Sequence, residues 1–93
     1  MTTVVLADDE ALLRKALAAL LPLEGDVTVL AEAADGAEAV RETLLNRPDV
    51  LVIDLEMPGT DGLAAVAEIR AARHGYVDRL LVIRRGRVAY DRR

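Results

Sequence analysis

Three aspartates set the chemistry this chain can do: the adjacent pair Asp8-Asp9 and, forty-five residues on, Asp54. Asp54 ends the apolar run Val50-Leu51-Val52-Ile53 and is followed by Leu55-Glu56-Met57-Pro58-Gly59-Thr60-Asp61-Gly62, with a Pro-Gly turn close behind it. Asp8-Asp9 ends a second short apolar run, Thr3 to Ala7. Carboxylates that terminate buried strands sit where open α/β sheets keep their sites, outside the carboxyl ends of the strands. If the two strands lie side by side, three like charges share one crevice, and a hard divalent cation such as Mg²⁺ or Mn²⁺ relieves their repulsion. The Glu56 backbone carbonyl is suitably placed as a further ligand. A cation beside Asp54 would also neutralise an incoming phosphoryl group, allowing the carboxylate to act as a nucleophile and form an acyl phosphate.

The elements that must hold these residues follow from periodicity. After Asp9, Leu13, Ala16, Leu17, Leu20 and Leu21 recur at helical spacing, with Arg14 and Lys15 off the stripe and Pro22 at its end. Val27 to Ala33 reads as an edge strand, Val27, Val29 and Ala31 alternating with Thr28 and Glu32. Asp35-Gly36-Ala37-Glu38 has capping-box spacing and opens a second helix with Ala37, Val40 and Leu44 inward, Asn46 as left-handed terminator and Arg47-Pro48 blocking continuation. Asp61 can cap a third helix, with Leu63, Val66 and Ile69 inward and Gly75 closing it. Strict β-α alternation predicts a parallel sheet with right-handed crossovers. From Tyr76 the pattern changes. Leu80 to Ile83, then Arg84-Arg85-Gly86-Arg87, then Val88-Ala89-Tyr90 reads as an antiparallel hairpin turning at Gly86.

Composition fits one α/β domain over residues 1–93. Apolar residues make up 53% of the chain with no Phe or Trp, so the core is Leu, Val, Ile and Ala, as in a covered parallel sheet. The absence of cysteine excludes disulfide, Cys-zinc and thiol redox chemistry. With no signal peptide or membrane-spanning run, a soluble, cytoplasmic protein without a membrane partner is expected. Charge divides the chain: residues 1–68 hold four basic against fourteen acidic residues, and residues 69–93 hold eight arginines against Asp78 and Asp91. Those arginines read as a solvated hairpin surface rather than a nucleic-acid face, because aromatic interleaving is thin and no groove-reading helix accompanies them. His74 suits a helix end, and Tyr90 reads as a packed strand residue.

Val5-Leu6-Ala7-Asp8-Asp9-Glu10, Ala34-Asp35-Gly36-Ala37-Glu38-Ala39 and Asp54-Leu55-Glu56-Met57-Pro58-Gly59-Thr60-Asp61-Gly62 together resemble the receiver domain of bacterial two-component response regulators. The likeness runs from Thr2 to about Arg73 and is nearest to regulators whose effector is a helix-turn-helix DNA-binding domain. It implies a flavodoxin-like, three-layer fold with Asp54 as phosphoacceptor from a histidine kinase. It also implies Mg²⁺ held by Asp8, Asp9, Asp54 and the Glu56 carbonyl, in a signalling module that is not an enzyme.

Beyond Arg73 the family pattern fails. Receivers place Thr or Ser at the end of a fourth strand and Lys at the end of a fifth; here Lys15 is the only lysine, serine is absent and Thr60 is the last threonine. Arg84 falls about where the hydroxyl belongs, and a guanidinium cannot replace it. Residues 76–93 faintly resemble the opening hairpin of serine β-lactamase and penicillin-binding-like proteins, which carries no catalytic residue there. The expectation is a truncated receiver fold with a hairpin of foreign origin, impaired in switching. A sheet face carrying only the first helix should drive a homodimer or strand-swapped oligomer. The competing reading is a chimeric or truncated structural domain that self-associates without signalling.

Overall fold

The computed structural model describes residues 1–54, Met57, 62–72 and, as backbone, 79–84 and 87–92. The chain runs β1 (Thr2–Ala7), α1 (Ala11–Leu20), a 3-10 turn (Leu21–Glu24), β2 (Val27–Ala33), α2 (Gly36–Asn46), β3 (Val50–Asp54), α3 (Gly62–Ala72), β4 (Arg79–Arg84) and β5 (Arg87–Arg92). The sheet order is β2-β1-β3-β4-β5. The first four strands are parallel, and β5 pairs antiparallel with β4. The expected turn at Gly86, the Asp61 cap, His74, Gly75 and the side chain of Tyr90 lie outside the described residues.

The strands alternate because each face meets a different helix layer. Val5, Ala7, Leu51 and Ile53 point to one side and pack with Ala39 and Val40 of α2 and Ala65, Val66 and Ile69 of α3. Val4, Leu6 and Val50 point to the other side, against Leu17 and Ala18 of α1 and Leu21 just beyond it. The second layer is thinner: α1 contributes no buried residue. Leu17, Ala18 and Leu21 make its contact, whereas Leu13, Ala16 and Leu20 of the expected stripe are exposed. Past Leu20 the helix tightens into the 3-10 turn with Pro22 in its first turn, where the missing N–H has no helical partner to lose.

The first turn of α2 is held from both ends. The Glu38 N–H donates to Asp35 Oδ1 at 2.8 Å, and the Ala34 N–H donates to Glu38 Oε1 at 3.0 Å. Its buried face is Gly36, Ala39, Val40 and Thr43; the expected inward Ala37 is exposed. Termination also differs from expectation. Arg47, not Asn46, is left-handed (φ 53°), with its N–H donating to the Thr43 carbonyl at 3.0 Å. The Asn46 amide stays helical and caps the Glu42 carbonyl at 2.8 Å, and Pro48 then bars the right-handed region to Arg47. In α3 the buried positions are Gly62, Ala65, Val66 and Ile69, and Leu63 turns outward.

Two local features hold the strands in register. Thr3 and Asp49 clasp the start of β1 to the entry of β3. The Thr3 N–H and hydroxyl donate to Asp49 Oδ2 at 2.9 and 3.1 Å, and the Asp49 N–H donates to Thr3 Oγ1 at 2.9 Å. The Thr3 N–H holds the Asp49 carboxyl below the usual aspartate range, helped by the hydroxyl. The second is a bulge in β2: Val4 faces Val29 but Val5 faces Ala31, which leaves Leu30 as the extra residue. A bulge of this kind reverses the faces beyond it. Val27 and Val29 therefore lie on the α1 side, Ala31 and Ala33 on the α2–α3 side, and Glu32 returns to the α1 side. The sequence alternation, which set Val27, Val29 and Ala31 on one face, is broken at Leu30.

Candidate functional site

β1 and β3 are adjacent and parallel, with Ala7 opposite Ile53, so their carboxyl ends deliver Asp8 and Asp54 to one place. Carboxylate oxygens of Asp8, Asp9 and Asp54 all lie within 4.8 Å of one another, so the structure brings together the three aspartates singled out by sequence. Asp9 is exposed and Asp54 half-buried, whereas Asp8 is 8% exposed. The fourth expected ligand, the Glu56 carbonyl, and the Pro58-Gly59 turn lie outside the described residues. Register pairs Asp54 with Ile83, which puts Arg84 at the carboxyl end of the neighbouring strand, as its sequence position suggested.

Asp8 is fixed through its backbone and its side chain. Its N–H donates to the Ala33 carbonyl at 3.0 Å, and its Oδ1 accepts from the Glu10 N–H at 2.9 Å. Burial raises the Asp8 pKa above the ordinary aspartate value. The Glu10 N–H opposes that shift, while the charges of Asp54, Asp9 and Glu10 add to it. An oxygen donor set with one carboxylate partly stripped of water among like charges fits a hard divalent cation.

The sign of the Asp8 shift fixes a prediction. A carboxyl whose folded pKa is raised favours folding when protonated, so in the metal-free chain the cost that Asp8 imposes on stability should shrink as pH falls through that raised value. Removing the charge has the same sense. Asp8→Asn keeps an oxygen for the Glu10 N–H and should melt above the unaltered chain in EDTA, yet gain less from added Mg²⁺. Paired thermal melts with and without Mg²⁺ check this, and a lower melting temperature in EDTA would contradict it.

Arg14 and Glu32 also belong to the site, and the sequence reading left both out of it. Arg14 Nη1 donates to the Asp8 carbonyl at 2.7 Å, and its Nε donates to Glu32 Oε1 at 3.0 Å. Lys15 Nζ reaches the same Glu32 oxygen at 3.1 Å. Burial pushes the Glu32 pKa up, but the hydrogen bonds and charges of Lys15 and Arg14 outweigh it and leave it below the usual glutamate range. This contribution to stability is present above the ordinary glutamate pKa and lost as pH falls through the depressed one. Spacing alone hinted at Arg14, one helical turn beyond Glu10; Glu32 reaches it because of the bulge at Leu30. Beside the acidic cluster, Leu6, Leu13, Leu17 and Val52 line a groove of about 170 Å³ whose rim includes Asp8, Asp54 and Arg14.

A four-stranded parallel sheet, layered with α2 and α3 on one face and α1 on the other, and an acidic site at the ends of β1 and β3 define a flavodoxin-like α/β protein. The response regulator receiver domain model matches residues 4–84, and the chain belongs to that family. The match extends past Arg73 and takes in β4. Over 67 residues, 71% of this chain, it is 46% identical to the oxygen regulatory protein NreC of Staphylococcus epidermidis. Over 70 residues, 75% of the chain, it is 44% identical to the transcriptional regulatory protein PdtaR of Mycobacterium tuberculosis. The chain spans about a third of either relative, 31% and 34%. Among solved structures, a LuxR-family two-component response regulator from Aurantimonas sp. SI85-9A1 superposes with a TM-score of 0.82 at 33% identity, covering 90% of this chain and 59% of the other.

Proposed function

We propose that this chain is a phosphoacceptor module of a two-component relay, in which Asp54 takes a phosphoryl group from the phosphohistidine of a histidine kinase. The observation that carries this reading is the gathering of Asp8, Asp9 and Asp54 at the ends of two adjacent parallel strands in a chain of the receiver family. An Asp54 carboxylate oxygen attacks phosphorus; the O–P bond forms as the P–N bond breaks, and the electron pair leaves on the donor imidazole, which solvent protonates. Asp8, Asp9, Asp54 and the Glu56 carbonyl would hold Mg²⁺, which supplies positive charge against the incoming phosphoryl oxygens. Asp8 is held in place by its bonds to the Glu10 and Ala33 backbone and offers a carboxylate oxygen to the cluster.

At the carboxyl end of β4, where receivers place Thr or Ser to read out the phosphorylated state, this chain carries Arg84. We therefore assign it acceptance of phosphate with impaired switching. The test is treatment with acetyl phosphate or beryllofluoride with and without Mg²⁺: a Mg²⁺-dependent adduct supports the assignment, and its absence sinks it.

One observation favours the second reading, a chimeric or truncated structural domain that self-associates. Leu12 and Leu20 on α1 and Leu23 beyond it are exposed, at 81, 57 and 79%. A homodimer or strand-swapped oligomer that covers this surface would account for them. In this reading the hairpin over residues 76–93 is the segment of foreign origin. Light scattering at tens of micromolar that finds only monomer would rule self-association out.

A further inference from the structure

We infer that Arg14 is a positioning residue for the acidic site: its guanidinium holds the Asp8–Asp9 peptide in place and anchors it, through Glu32, to the neighbouring strand. This inference rests on the reading of Asp8, Asp9 and Asp54 as a divalent-cation site. The carbonyl that accepts from Arg14 Nη1, at 2.7 Å, belongs to the peptide joining the two aspartates. Fixing that peptide plane fixes the Cα positions of both aspartates and leaves only the dihedrals flanking the peptide to set where their side chains point. The Asp8 N–H and Oδ1 are already bonded to Ala33 and Glu10. Arg14 therefore supplies the missing restraint, on the side of the peptide from which Asp9 departs.

The fork geometry explains why the residue is arginine. One planar group reaches a carbonyl with Nη1 and a carboxylate with Nε at 3.0 Å, which a single ammonium cannot do from the same stem. Its side chain is 13% exposed, and that of Glu32 is 25% exposed. The bulge at Leu30 is what turns Glu32 toward α1, so the β2 irregularity and the site are parts of one arrangement. Lys15 shares Glu32 Oε1 at 3.1 Å, so loss of Arg14 does not strand a carboxylate without a cation. Metal affinity and fold stability can thus be separated by mutation. Partners that orient ligating groups this way typically govern metal affinity by about 10- to 100-fold.

The experiment is Mn²⁺ binding to the full chain, read as loss of the free-ion electron paramagnetic resonance signal, with a thermal melt of every variant. Arg14→Gln should weaken Mn²⁺ by about tenfold or more while the cooperative melt is kept. Arg14→Lys, which retains the charge without the fork, should recover only part of that loss. Glu32→Gln should weaken binding less, and adding it to Arg14→Gln should weaken it no further. Unchanged affinity in Arg14→Gln, or full recovery in Arg14→Lys, would overturn the inference while leaving the metal site standing. If Arg14→Gln does not fold, Glu32→Gln decides: affinity equal to that of the unaltered chain would overturn the inference. Failure of the unaltered chain to bind Mn²⁺ would overturn the metal reading, and the role of Arg14 with it.

Discussion

Asp54→Asn is expected to abolish the acetyl phosphate adduct altogether, with its thermal midpoint close to that of the unaltered chain. The substitution is isosteric at the end of β3, and Asp54 is half-buried, so the sheet has little to lose. An amide is no nucleophile toward phosphorus, whereas a carboxylate with its charge offset by a neighbouring cation is. Asp8 and Asp9 do not substitute for it, because each is assigned to holding the cation. Removing one carboxylate also weakens cation binding, so the comparison belongs at Mg²⁺ concentrations that saturate the variant. Intact mass measured before and after hydroxylamine reads the outcome, since hydroxylamine cleaves acyl phosphates. An adduct of undiminished yield in Asp54→Asn would place the acceptor elsewhere.

Leu51→Ala should be the most damaging single truncation in the fold. Leu51 is 0% exposed as the second residue of β3, with β1 on one side and β4 on the other, and it belongs to the larger cluster with Val5, Ala39, Ile53 and Val66. Deleting a buried leucine side chain costs about 2–5 kcal/mol, the upper values where the surroundings cannot close on the cavity. Neighbouring strands and two helices hold those surroundings in place. A domain of this size is stable by about 5–15 kcal/mol in total, so the variant should unfold at a markedly lower urea concentration with an unchanged slope. Leu12→Ser, at a position 81% exposed, should leave the monomer midpoint within about 0.5 kcal/mol of the original. Equal losses at the two positions would mean that the cores have been assigned wrongly.

Much of this was written in the sequence as local pattern. Four apolar residues running into Asp54 and a β-branched run into Asp8-Asp9 gave two central strands, and the parallel register then made the acidic cluster unavoidable. Asp35 and Glu38 announced the start of α2 because a capping box is a spacing of four residues and nothing more distant. What the sequence did not disclose was long-range. The apolar stripe of α1 predicted five inward positions, yet Leu13, Ala16 and Leu20 are exposed, because a stripe records only that a helix can be covered. Ala37 and Leu63 misled for a related reason: near a helix start, either of two faces can turn to the core, and the neighbouring sheet decides. At Leu30 an apolar residue stands where the alternation calls for a polar one, but that break alone does not say that the faces reverse beyond it. Pattern alone therefore put Glu32 among the alternating residues of an edge strand and Arg14 off the α1 stripe, with nothing to join them.

The most direct measurement is a Mg²⁺ titration of the ¹⁵N-labelled chain followed by amide NMR. If the three aspartates form one cation site, the resonances of Asp8, Asp9 and Asp54 should shift together and saturate with a single dissociation constant, while those of distant acids such as Asp26 and Glu42 stay put. Shifts spread evenly over surface carboxylates without saturation, or saturation that leaves Asp8 and Asp54 unmoved, would contradict it.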